Sequence, residues 1–207
     1  MTREEHALIS DAIRMAEKRT AGEIYCVVAR SSDSYIFPAA FFVSAAIVAI
    51  SLAVAWLMHR WWYDLDPVML VAAQLLAIAA TLLVLWAFPA IRILLVPRRM
   101  QYRHAHDNAV KQFLARNVHI TAARTGVLLF VSLAERYAEV VADSGINQKV
   151  PQETWDNVVR ILSDHARAGR LAEGYVAAVA TVGALLAEHF PARPVDRNEL
   201  DDHLVEI

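Results

Sequence analysis

Two uncharged apolar runs separated by only eight residues constrain this chain more than anything else in it. Residues 37–58 read FPAAFFVSAAIVAISLAVAWLM, and residues 67–89 read PVMLVAAQLLAIAATLLVLWAFP. A helix rising about 1.5 Å per residue crosses about 30 Å of hydrocarbon in roughly 20 residues. One such run could be a buried helix of a soluble core, but two in succession predict a transmembrane helical hairpin over 37–96, with spans at 37–58 and 67–89. The short connection forces the two helices antiparallel. Its Trp61, Trp62 and Tyr63 suit the headgroup layer, and Asp66 before Pro67 is placed to cap the second helix.

Lysine and arginine placement orients the hairpin. Lys18, Arg19 and Arg30 precede the first span, Arg92, Arg98, Arg99 and Arg103 follow the second, and the loop between holds only Arg60. The positive-inside rule then expects an integral inner (plasma) membrane protein with both termini and the soluble domain in the cytoplasm. The lipid bilayer is the first partner. Small residues at four-residue spacing, Ala45, Ala49 and Ala53 on one span and Ala73 and Ala77 on the other, are the kind of faces on which a homo-oligomer could pack.

Removing the hairpin leaves about 145 residues, the size of one ordinary domain. The formal net charge is −2, which argues against a nucleic-acid partner, since such domains carry a strong basic excess. Cys26 is the only cysteine, so no internal disulfide can form.

The domain reads as discontinuous, residues 1–35 and 98–190. Thr2 and Glu5 make a capping box, and Leu8, Ile9, Ala12, Ile13 and Ala16 line a helical face behind it. Residues 23–29 (EIYCVVA) and 126–132 (GVLLFVS) are apolar at every alternation, as strands covered on both sides are. A connection this long between them predicts a parallel crossover. Residues 137–142 form a third strand, hairpinned to the second through the 133–136 turn. Helices are expected over 98–116, with Ala109, Val110, Phe113 and Leu114 facing the core, from Pro151 to Gly169, and over 171–189. Residues 191–207, with Asp196, Glu199, Asp201, Asp202 and Glu206, read as an acidic, loosely docked tail. The fold class is α/β: a small α/β/α sandwich with a mixed sheet, interrupted by the transmembrane hairpin.

The ordered set Thr20-Ala21-Gly22-Glu23-Ile24, Thr125-Gly126-Val127-Leu128-Leu129-Phe130-Val131, Arg136, Asp143-Ser144-Gly145-Ile146 and Gly174-Tyr175 resembles the TPM-domain family, in its membrane-anchored bacterial type with an inserted two-helix hairpin. The resemblance implies an α/β/α sandwich. It also implies one of two roles: a divalent-metal-binding phosphatase, or a factor for assembly or turnover of membrane complexes. The chain departs from the family's usual pattern at Arg124-Thr125 before the second strand and at Ala142-Asp143 after the third.

No nucleotide-binding loop, nucleophile elbow or Cys-x5-Arg loop is present. The candidate ligand or metal-site residues are therefore the charged groups at strand ends and turns: Glu23, Glu135, Arg136 and Asp143. An antiparallel third strand would put Asp143 at the opposite edge from Glu135 and Arg136. No cofactor is demanded by the sequence itself. The expectation is a non-enzymatic interaction or assembly and maintenance factor with a membrane-protein partner. The alternative, implied by the resemblance, is a weak phosphatase using Ca2+ or Mg2+, with Asp143 and Glu135 as ligands and Arg136 steadying phosphate.

Overall fold

Along the chain the elements run α1 (Arg3–Glu17), β1 (Glu23–Ala29), α2 (Ile36–Arg60), α3 (Pro67–Ala87), α4 (Pro89–Leu94), α5 (Arg98–Ala115), β2 (Gly126–Ser132), β3 (Tyr137–Ala142), α6 (Ser144–Asn147), α7 (Gln152–Arg167), α8 (Leu171–His189) and β4 (Leu204–Glu206). This computed structural model describes residues 1–61, 66–121, 124–192 and 202–207. It divides into an α/β unit, residues 1–32 with 102–207, and a helical unit, residues 33–101.

In the α/β unit β1 and β2 are buried along their whole length and pair in parallel, from Glu23 opposite Gly126 to Ala29 opposite Ser132. β3 returns antiparallel on the outer edge of β2, giving the sheet order β3-β2-β1-β4. Because side chains alternate, each central strand serves two cores. Ile24, Cys26, Val28, Val127, Leu129 and Val131 pack under α1, α7 and α8. Tyr25, Val27, Ala29, Leu128 and Phe130 meet Ala109 and Phe113 of α5 on the other face. The result is the α/β/α arrangement that the sequence predicts.

The helices follow their patterns. Thr2 Oγ1 accepts from the Glu5 amide at 3.2 Å and Glu5 Oε2 accepts from the Thr2 amide at 2.6 Å, so the capping box is formed. Ile9 and Ile13 are fully buried, but Leu8 is 60% exposed, because it lies about 100° round the helix from Ile9. Leu114 is exposed beside Phe113 for the same reason. Pro151 is the N-cap of α7 rather than its first residue, and Gly169, at φ +70, follows its end. α8 is long and apolar enough to cross a membrane, as α2 and α3 are. It is nevertheless part of the domain core: Tyr175, Ala178, Val179, Val182 and Leu186 are wholly buried, and the Tyr175 hydroxyl donates to the Val27 carbonyl at 2.7 Å.

Against the expectation of a loosely docked tail over 191–207, Leu204–Glu206 adds a fourth strand parallel to β1, opposite Cys26–Val28. Leu204 is buried under the sheet, and Glu206 accepts from His6 Nε2 at 2.9 Å. Three residues carry too little periodicity to announce a strand; the open edge of β1 specifies it. Asp196, Glu199 and Asp201 lie outside the described residues, as do Trp62 and Tyr63.

In the helical unit, α2 and α3 pack together while their outer surfaces stay apolar and uncovered; Phe37 is 83% and Leu76 72% exposed. The Gln74 side chain donates to Ser51 Oγ at 3.1 Å, Ser51 Oγ donates to the Val48 carbonyl, and Thr81 donates to that of Ala77. In hydrocarbon these groups could find no water, so such internal partners are what keep them affordable there. Asp66 caps α3 by accepting from the Val68 amide at 2.9 Å. The helix stops at Ala87 rather than continuing through Pro89, which has no N–H and drives Phe88 out of the helical region. Arg92 then donates to the freed carbonyls of Leu85, at 2.7 Å, and Trp86, at 3.1 Å.

Gly126, the first rung of the β1–β2 ladder, admits no side chain: a Cβ there would lie 2.0 Å from the Val118 carbonyl oxygen. Gly126→Ala is therefore expected to cost the domain at least about 3 kcal/mol, read as a lowered midpoint in urea unfolding of the detergent-solubilised protein.

Candidate functional site

β3 runs antiparallel to β2, so the candidate residues fall at two ends of the sheet. Asp143 closes against the first rung, its amide donating to the Gly126 carbonyl at 2.9 Å, near Glu23 at the start of β1. Glu135 and Arg136 lie in the β2–β3 turn at the opposite end. Seven residues of strand, roughly 20 Å, separate the two pairs.

At the amino end, Asp143 is the N-cap of α6, its Oδ1 accepting from the amide and hydroxyl of Ser144. Its Oδ2 is buried without a hydrogen-bond partner among the described residues. Thr125 is wholly buried and ties the two strand entries together, donating through Oγ1 to the Ala21 carbonyl at 3.0 Å. A group the sequence reading did not single out, Glu17 at the end of α1, belongs here. β4 reaches only as far back as Cys26, which leaves the Ile24 amide without a strand partner on that side; Glu17 Oε1 accepts from it at 2.9 Å. Burial, opposed by that hydrogen bond and reinforced by the neighbouring Glu23 and Asp202, pushes the Glu17 carboxyl up to about 9. Arg14 Nε lies 3.4 Å from Asp202 at the rim of this acidic group. Cys26 is fully buried as expected, and burial first, then Glu17, pushes its thiol upward.

The carboxyl end is hydroxyl-rich. Glu135 is completely buried; its Oε1 accepts from the Ser32 amide at 2.8 Å and the Ser31 hydroxyl at 3.4 Å, and its Oε2 from the Ser132 hydroxyl. Ser32 Oγ donates to Ser132 Oγ at 3.0 Å. These bonds join the exits of β1 and β2 across about 100 residues of sequence, which is why no local motif announces them. Arg136 follows in the left-handed region at φ 52, in a turn closed by its own amide donating to the Leu133 carbonyl at 3.2 Å. Beside it lies a cavity of about 490 Å3, lined by Ser132, Leu133, Arg136 and Tyr137 together with Ser163 and Arg167 of α7. The Tyr137 hydroxyl donates to Glu139 at 3.0 Å; burial first, then Glu139, pushes it upward. His106 of α5 meets the same carboxylate at 2.8 Å.

Asp143 and Glu135 do not fit a shared Ca2+ or Mg2+ site. They stand at opposite ends of the sheet, and both Glu135 oxygens already accept from the β1 and β2 exits. Among the described residues no three His, Cys, Asp or Glu side chains converge as a metal would require.

Residues 89–185 match a family model described as the TPM domain, whose name includes the word phosphatase. The match spans α4 to most of α8 and leaves out β1 and β4. The NMR structure of the BA42 protein from the psychrophilic bacterium Bizionia argentinensis is similar in fold, with a TM-score of 0.61 at 20% identity, over 100% of this chain and 95% of that one. No curated protein matches.

The Glu17 carboxyl titrates higher folded than unfolded, so it favours the fold most below its ordinary value of 4.5 and progressively less as pH rises toward about 9. Glu17→Gln keeps an acceptor for the Ile24 amide without the charge. It is expected to raise the thermal midpoint above pH 7, by an amount that grows up to about pH 9; a constant offset from pH 5 to pH 9 would contradict this.

Proposed function

We propose that this chain, whose residues 89–185 match the TPM-domain model, is a membrane-anchored TPM protein working as a non-enzymatic interaction or assembly factor for membrane complexes. The observation that carries this reading is the insertion of the α2–α3 hairpin between β1 and β2. Its helices are uncharged through their spans, apolar on their outer surfaces and satisfied internally at Ser51, Gln74 and Thr81. Because β1 and β2 pair in register, the chain between them crosses any membrane an even number of times. α2 and α3 supply those two crossings. α8, the third helix of sufficient length, is committed to the core. The excess of arginine and lysine outside the α2–α3 loop supports a cytoplasmic domain with both ends of the chain on the cytoplasmic side of an inner membrane.

The acidic candidates support the non-enzymatic half of this reading through the structural tasks they perform. Glu135 ties together the exits of β1 and β2, Asp143 caps α6, and Glu17 supplies the acceptor that β4 does not. The family model's name favours a phosphatase instead, and the one group that speaks for it is Asp143, with its buried Oδ2. The full chain in detergent, given a phosphomonoester with Mg2+ or Ca2+, is expected to hydrolyse it no faster than buffer. Robust turnover lost in Asp143→Ala would replace our reading with the enzymatic one.

Topology is tested separately. In a Cys26→Ala background, Thr2→Cys, Trp61→Cys and Asp202→Cys are exposed to a membrane-impermeant maleimide in intact cells. Trp61→Cys alone should react before lysis. Labelling at positions 2 and 202 instead would invert the orientation, and labelling at only one of them would exclude an even number of crossings.

A further inference from the structure

We infer that the cavity at the carboxyl end of β2 is a carboxylate-binding site, taking an anion carried on a short apolar body such as the C-terminal residue of a peptide. Two guanidinium groups, Arg136 and Arg167, line the same space of about 490 Å3. The Arg136 guanidinium has no hydrogen-bond or ion-pair partner among the described residues. Among the described residues Arg167 is held only by Asp164, three residues back on α7, at 3.1 Å in a pair that is exposed on both sides. Such a pair contributes little and is readily exchanged for a ligand. Ser163 adds a hydroxyl to the lining, whereas Ser132 is committed to Glu135.

The backbone supplies an independent observation. Arg136 occupies the left-handed region at φ 52, where glycine is at ease and a side chain is strained. The turn would close more comfortably without a side chain, yet it places a guanidinium in the cavity lining; strain of this kind recurs at functional sites.

The surroundings choose the anion. A phosphate dianion is best held by backbone amides at a helix N-terminus; α7 presents its C-terminal end here, whose dipole opposes any anion and a dianion more than a monoanion. The rest of the lining is largely apolar, including Val131, Leu133 and Ala166. A monoanionic carboxylate accepts the planar fork of a guanidinium in two parallel bonds, and the body that carries it can bury against those side chains.

This inference deepens the interaction reading, and its test reads binding alone, so its failure is distinct from the appearance of phosphoester turnover. Calorimetric titration of the full chain in detergent would use N-acetylleucine, its amide, and inorganic phosphate. N-acetylleucine should bind saturably and its amide should not. Arg136→Gln and Arg167→Gln should each weaken binding by about tenfold or more, as loss of a charged hydrogen bond does. Arg160→Gln, outside the cavity on the same helix, should leave it unchanged. Arg136→Gly should abolish binding while raising the melting temperature by a few degrees, a combination that a purely structural arginine would not produce. Equal binding of the amide, tighter binding of phosphate, no saturable binding at all, or an unaltered Arg136→Gln variant would each overturn the assignment.

Discussion

The parallel ladder between β1 and β2 is the interaction on which everything else in this molecule rests. Its seven rungs join strands about 100 positions apart, and the intervening chain contains two apolar helices that no aqueous domain could accommodate with their outer faces bare. The ladder and the hairpin constrain one another. On the membrane-anchored reading, pairing demands that the inserted chain return to the side it left, which an even number of crossings achieves. The insertion in turn requires the ladder to offset the closure entropy of a long loop, a cost that grows only slowly with its length. Complete burial of both strands between two helical layers, and the glycine that lets Val118 approach the first rung, are how the domain meets that demand.

Most of the fold was legible because burial on both faces leaves a plain signature. An unbroken apolar strand bounded by Gly22 or Gly126 cannot be a surface element, and β1, β2 and β3 begin and end where their composition changes. The capping box at Thr2 and Glu5 and the Asp66 cap were equally plain, since each rests on side chains within a few residues of the amide they satisfy. β4 was hidden because its existence depends on the edge of β1 rather than on its own three residues. The break at Phe88 is a local effect of Pro89, but an apolar run that continues on both sides conceals it.

The site was legible only in part, for a related reason. Arg136, Glu135 and Asp143 were visible as charged residues at turns, and their division between two sheet ends follows once β3 is antiparallel. Glu17 and Arg167 were not visible. A glutamate and an arginine at helix ends look like ordinary solvated charge, and what sets them apart is the missing strand partner of Ile24 and a cavity formed with a turn some thirty residues earlier. The serines at the exits of β1 and β2 share that fate: a network spanning about 100 positions has no sequence period.

The distance between β1 and β2 is also an interval of time. A chain is synthesised at about 5–20 residues per second, so β1 is complete some 5–20 s before its partner β2 exists, and it waits longer still for β4. Throughout that interval a largely apolar strand has no ladder and only α1 of its helical cover, while the segment emerging behind it is the most hydrophobic in the protein. On the membrane-anchored reading proposed above, partitioning of α2 and α3 into lipid precedes closure of the sheet. On the same reading the domain is assembled after its anchor.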